Sequence, residues 1–272
     1  MANKKKMEQQ RIMLEELKKK RRNILYASIS VVVAVIVIVA VISLLGSFNH
    51  TPTTSSNLSS VNSGTYVKLS SNDIGSSGVN VYFLSWQGCP IGAADSWAIY
   101  DYFHTYFKLS NSTIIKGEHF SDPSESPSNI PGLLLNNFSA TSSGITYHFH
   151  VVYVYGESLP STDPSPASVN TGITALKSQS GFPSQVINEF VTYETAVPTV
   201  GLNNQAIACY AGHVTSSLII TGPGGTYYFE GEMYNPQIIS GIQPSTLLGQ
   251  VSSYSQITTS MTNLDGTVNS AV

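Results

Sequence analysis

The sequence predicts an α/β domain held to a membrane by a single transmembrane helix. Three observations predict it. Ile24–Leu45 is a run of 22 residues without a charge, dominated by Val, Ile, Ala and Leu. Beyond it, short runs of β-branched and aromatic residues alternate with stretches of helical apolar spacing. Their order, strand, helix, strand, helix, strand, strand, helix, is that of an α/β fold, and no internal repeat interrupts it. The 272 residues suffice for one large domain or two small ones.

Residues 1–23 form a basic leader. Within it Met7–Arg22 reads as a short helix with Glu15–Lys19 and Glu16–Lys20 pairs one turn apart. Residues 24–47 hold the span. At about 1.5 Å per residue its uncharged core covers about 33 Å, enough for a hydrocarbon layer of about 30 Å. A cleaved signal peptide would have a shorter apolar core and a small-x-small cleavage site, and Ser43–Ser47 is a poor one. Lys18–Arg22 abuts the N-terminal end, and the next basic residue is Lys68. The positive-inside rule therefore places the N-terminus in the cytoplasm, against anionic lipid, and residues 49–272 outside. The membrane is thus one expected partner, at the plasma membrane, with a single pass.

A Ser/Thr-rich stalk is expected over 48–75, an exterior domain over 76–265 and a short tail over 266–272. Asn80–Trp86 reads as a strand. It stops at Gln87–Gly92, where a helix begins whose Ala93, Trp97, Tyr100, Phe103 and Phe107 share one face. Ser110–Ser143, rich in Ser, Pro and Asn, is expected to be irregular. Ile145–Tyr155 is the clearest strand, followed by helices near Val169–Ser178 and Ser184–Tyr193. Ala196–Leu202 reads as a strand begun by a proline, paired with Ala206–Tyr210. Two strands flank the turn Gly222–Gly225, and a closing helix covers Ser245–Met261 with Pro244 before it.

Charge excludes some functions. Residues 1–48 carry nine basic residues and three acids, a net of +6; residues 49–272 carry four lysines, no arginine and thirteen acids, a net of −9. Such an exterior cannot neutralise a phosphate backbone, so nucleic acid is not a partner. Below about pH 4 carboxylates lose charge while lysines keep theirs. A surface of Ser, Thr, Asn, Gln and Tyr avoids the resulting repulsion, and an acidic exterior is expected. Outside the membrane, Asn49, Asn57, Asn111 and Asn137 stand in Asn-x-Ser/Thr tripeptides and are glycosylation candidates. Asn49 and Asn57, on the stalk, are the better placed. No hydrolase or nucleotide-binding motif is present.

Cys89, at the start of a helix, is the candidate nucleophile, because a helix N-terminus stabilises a thiolate. No Lys or Arg lies between Lys68 and Lys108 to assist it. Cys209 is the other cysteine, and three states stay open: a Cys89–Cys209 structural disulfide, two unpaired thiols, or a functional redox pair. His148 and His150 alternate along a strand and share a face, but two ligands are too few for a copper or zinc site, and none is assigned. His213, just after Gly212, could reach the edge of the Cys89 site and is given little weight. No cofactor is implied.

The segment Gly88-Cys89-Pro90-x-x-Ala93-Ala94-x-Ser96-Trp97-Ala98, with Val197-Pro198-Thr199 about 110 residues later, resembles the thioredoxin superfamily. More closely it resembles a family of membrane-anchored thioredoxin-like proteins of thermoacidophilic archaea (domain of unknown function 929), over about Val79–Met261. The resemblance implies a thioredoxin-like mixed sheet flanked by helices, an active-site Cys-x-x-Cys after the first core strand, and Pro198 as a cis-proline facing Cys89. Here the second cysteine is replaced by Gly92, leaving Cys-Pro-Ile-Gly. A dithiol cycle needs a resolving thiol to release the mixed disulfide. The expectation is a non-catalytic or weakly redox-active interaction domain with protein partners in the envelope. The alternative is a thiol–disulfide oxidoreductase or isomerase acting through Cys89.

Overall fold

The computed structural model describes residues 58–160 and 166–272. The basic leader, the apolar span, the first part of the stalk, Asn49 and Asn57 lie outside the described residues. Among the described residues no helix is long and apolar enough to cross a membrane.

The chain joins the fold earlier than the stalk boundary at 75 predicts. Val61 is buried and β1 (Val67–Ser70) is an edge strand of the main sheet. β2 (Val79–Ser85) follows, and all seven of its residues are buried. Its side chains alternate between two cores: Val79, Val81 and Phe83 face one, Tyr82 and Leu84 the other. A strand covered on both faces reads as a continuous apolar run, as this one does.

α1 (Pro90–Phe107) opens with Pro90 at its first turn, where the missing N–H costs nothing, and ends at Lys108 in a left-handed conformation. Rather than one apolar stripe, it buries nearly every residue from Pro90 to Phe103. It is enclosed by the sheet and by two further elements described below.

The expected irregular stretch from 110 to 143 is instead ordered. It contains α2 (Asn111–Ile114), β3 (Ile115–Phe120), β4 (Pro131–Leu135) and β5 (Phe138–Ser142). β3 and β4 form a separate antiparallel ribbon laid on α1. Side chains of α1 hold it there: Trp97 Nε1 donates to the Pro131 carbonyl (2.8 Å), and Ser96 Oγ accepts from Leu133 N (2.9 Å).

β6 (Ile145–Tyr153), α3 (Pro166–Lys177) and α4 (Ser184–Thr195) lie where the periodicity predicts them. The strands predicted over 196–202 and 206–210 do not form. Thr199 makes one isolated bridge to Val61, after which Gly201, Asn203 and Asn204 take positive φ and curl the chain. Ile207–Ala211 is a helical turn, α5, closed by left-handed Gly212, as its alanines favour.

β7 (Ser217–Gly222) and β8 (Gly225–Glu230) form the expected hairpin. The closing helix is divided. Pro244 starts α6 (Pro244–Leu248), and α7 runs over Ser255–Ser270, burying Val268 and drawing the supposed tail into the fold. α7 completes the cover of α1.

The main sheet is mixed, in the order β1-β8-β7-β2-β6-β5. β2 and β6 are parallel, with Phe83 opposite Val151, and every other pairing is antiparallel. Helices cover both faces: α1 and α7 on one, α3, α4 and α5 on the other. The chain is therefore a mixed α/β fold.

Candidate functional site

Cys89 stands beyond the C-terminal end of the central strand, as the last residue of the four-residue turn from Trp86 to Cys89. Gly88 is required there, since a Cβ would collide with the carbonyl oxygen of Glu157. Cys89 N donates to Trp86 O (3.1 Å), and Cys89 caps α1, its Sγ accepting from Gly92 N at 3.3 Å.

The helix terminus does not make this thiol acidic. Cys89 is 2% exposed, and burial pushes its pKa up to about 12, with the nearby Asp95 carboxylate adding to the rise. At neutral pH about one thiol in 10⁵ would be ionised. Desolvation of the charged form outweighs one N–H donor and a helix dipole here.

The space beside Gly92 is occupied. A Cβ added at Gly92 would collide with Ser85 Oγ and come within 3.1 Å of Ser85 Cβ. Ser85, the last residue of β2, thus fills the space a side chain at position 92 would need.

Cys89, Pro90 and Ile91 form one wall of a cavity of about 580 Å³. Thr199, Val200 and Leu202 form another; Ile207 and Tyr210 of α5, His213 and Thr215 also line it, as do the acidic Glu125 and Glu232. Val200 and Tyr210 are 56% and 54% exposed and give the cavity an apolar rim. His213 stands edge-on to Trp86, with ring centroids 5.7 Å apart.

Behind the cavity lie three buried carboxyls. Glu194, at the end of α4, accepts from Thr215 N (3.1 Å), Thr215 Oγ1 and Ser217 Oγ (2.8 Å). Glu230 accepts from Thr199 Oγ1 (2.6 Å) and Tyr228 OH (3.0 Å). Asp95 accepts from Met233 N at 3.0 Å. Burial raises the pKa of all three, Glu194 to about 7. Cavity-lining Thr199 and Thr215 therefore each carry a hydroxyl back to a buried acid.

The structure brings together only part of the predicted constellation. Cys89 and His213 share the cavity, but Pro198 does not line it. The Pro198 carbonyl accepts from Val61 N (3.0 Å), and its peptide bond is trans: among the described residues the cis bond is Ser126–Pro127. His213 and Thr215, just before β7, line the cavity.

Cys89 and Cys209 are both free thiols, and no disulfide joins them. Cys209 is exposed, because it falls on helix α5 rather than on a strand beside the site, and its Sγ lies 3.5 Å from the Thr195 carbonyl.

His148 and His150 share a face of β6 and have partners of their own. His148 Nδ1 meets Ser139 Oγ (2.7 Å), and His150 stacks on Tyr82. Among the described residues no group of three or more His, Cys, Asp or Glu is placed to hold a metal. Asn111 and Asn137 are exposed.

Sequence reasoning missed Ser85, Glu194 and Glu230. A signal existed for the acids: Glu230 ends the run Thr226-Tyr227-Tyr228-Phe229, and a lone carboxylate in so apolar a strand must be satisfied from elsewhere.

The family described as Domain of unknown function (DUF929) matches residues 65–270. The chain belongs to this family. The match begins two residues before β1 and ends with the last residue of α7. No curated protein and no solved structure matches the chain.

Proposed function

We propose that this chain carries a thioredoxin-like, non-catalytic interaction domain of the cell envelope that binds protein partners at the Cys89 cavity. Ile24–Leu45 would anchor it in the plasma membrane, with the N-terminus in the cytoplasm and residues 49–272 in an acidic exterior. The thioredoxin-like part of the reading is supported by the position of Cys89, after a central strand flanked by one parallel and one antiparallel neighbour. The acidic exterior is supported by three buried carboxyls whose neutral form burial favours.

One observation carries the non-catalytic reading: Cys89 is buried and protonated, and Ser85 fills the space where its resolving partner would stand. Thiol–disulfide exchange requires an accessible thiolate. What remains is a cavity with an apolar rim, and an exposed Tyr beside a pocket is the kind of anchor on which interfaces are built.

The test uses the full-length chain in detergent. It should reduce a fluorescent disulfide peptide no faster in the wild type than in Cys89→Ser. Photocrosslinking from position 210 in native membranes should capture protein, and Val200→Asp should abolish the capture while Cys89→Ser should not. A reduction rate that disappears in Cys89→Ser would establish the oxidoreductase reading instead.

A further inference from the structure

The two glycosylation candidates within the domain are 26 residues apart in sequence, Asn111-Ser112-Thr113 and Asn137-Phe138-Ser139. The fold brings them side by side. Asn136 N donates to the Ile114 carbonyl (2.9 Å), and Asn136 Nδ2 donates to the Thr113 carbonyl (3.1 Å). The residue before one tripeptide is thus bonded to the last residue of the other.

Both asparagines are exposed, and each is held by its oxygen. Asn111 Oδ1 accepts from Tyr100 OH (2.8 Å), and Asn137 Oδ1 accepts from Val151 N (2.7 Å). Each amide is therefore oriented through its oxygen, and the nitrogen is the atom to which a sugar would be joined.

The place matters as much as the geometry. Asn137 immediately precedes β5, the outer strand of the main sheet beside β6. β5 reads Phe-Ser-Ala-Thr-Ser, with no charge and no proline. A strand of that composition leaves a row of backbone donors and acceptors open to a second strand, and proteins usually protect such an edge with Lys, Pro or a covering element. Here none of those devices is in the strand, while two acceptor tripeptides adjoin one end of it.

We infer that Asn111 and Asn137 both carry N-linked oligosaccharides, and that the pair shields the β5 edge from strand pairing. The inference rests on the exterior placement proposed above. In the transfer, C1 of the first sugar leaves the phosphate oxygen of a lipid-phosphate-linked oligosaccharide and bonds to Asn Nδ2. That nitrogen loses one proton, and the lipid phosphate departs carrying it.

The test takes the full-length chain from the membranes of its native cells. Peptides spanning all four tripeptides are read by mass spectrometry, and intact cells are treated with an external protease in parallel. Sugar masses on both Asn111 and Asn137 are expected, with one glycan lost from the intact mass of Asn111→Gln and two from Asn111→Gln/Asn137→Gln. The doubly substituted chain should also sediment as larger species, and adding Thr141→Lys on the edge should reverse this. Sugar on Asn49 or Asn57 with Asn111 or Asn137 bare overturns the inference and leaves the exterior placement standing. All four bare in a protease-accessible domain also overturns the inference alone. All four bare in a protected domain overturns both.

Discussion

Replacing Glu194 by Gln tests the buried carboxyls directly. Glu194 is fully buried, and its pKa in the folded chain is raised from 4.5 to about 7, first by burial and then by Glu230, against the hydrogen bonds from Thr215 and Ser217. The other ionisable groups that feel it are Tyr228 and Tyr155, and none of these carries a positive charge. A carboxyl whose folded pKa is raised stabilises the fold fully below its unfolded pKa, and that contribution is lost as pH rises through the folded value. A rise of about 2.5 pKa units corresponds to about 3 kcal/mol lost between about pH 4 and pH 8. In a domain of this size that is roughly 6–12 °C in Tm. Gln cannot ionise, so Glu194→Gln should lack this part of the pH dependence, whatever constant offset the amide introduces. Thermal unfolding followed by circular dichroism at pH 4, 5.5, 7 and 8 reads the effect as the difference between the two profiles. His119 and His150 act in the opposite sense, since burial lowers their pKa values and their contribution is lost as pH falls below about 6.5. Both proteins contain them, so they cancel in the difference. Parallel profiles would refute the reasoning and place the ionisation of Glu194 in its ordinary range.

Three further outcomes are expected. A thiol reagent at pH 8 should modify exposed Cys209 within minutes and buried Cys89 only after denaturant is added, which counting modified cysteines by intact mass checks. Gly92→Ala should destabilise by about 1–3 kcal/mol through overpacking against Ser85, and much of the loss should return when Ser85→Ala is added; denaturant unfolding of the four proteins measures the coupling. Thr199→Val removes the 2.6 Å bond to buried Glu230 and should cost about 1–3 kcal/mol, more at pH 8 than at pH 4, by chemical denaturation at both values.

How far the sequence led depends on where each element finds its stability. β2, α1, β6, α3, α4 and the β7–β8 hairpin carry their own periodicity or turn residues, and they lie where that pattern places them. β3 and β4 do not. β3 alternates half-buried and exposed residues in a sequence of Ile, Lys, Gly, Glu, His and Phe, and its ribbon is positioned by Ser96 and Trp97 of α1 rather than by its own pattern. Over 196–211 two local signals competed. The β-branched residues around Pro198 suggested a strand, but the positive φ angles at Gly201, Asn203 and Asn204 and the alanines of α5 prevailed. At the site, the location of Cys89 was legible because a strand, a turn and a proline-started helix are local features. Its high pKa was not, because burial is supplied by residues distant in sequence. The carboxyl network stayed hidden for the same reason: Thr199 and Glu230 are 31 residues apart, and Glu194 and Ser217 are 23.

The bridge between Val61 and Thr199 has a mechanical meaning. Val61 N donates to Pro198 O, and Val200 N donates to Val61 O (2.8 Å). These two bonds fasten the cavity wall to the first segment of the domain. A pull arriving along the chain from its N-terminal side therefore loads Thr199 and Val200 before it reaches β1 or any strand of the main sheet. The cavity wall is therefore among the first parts of the domain to bear a pull applied to the chain ahead of Val61.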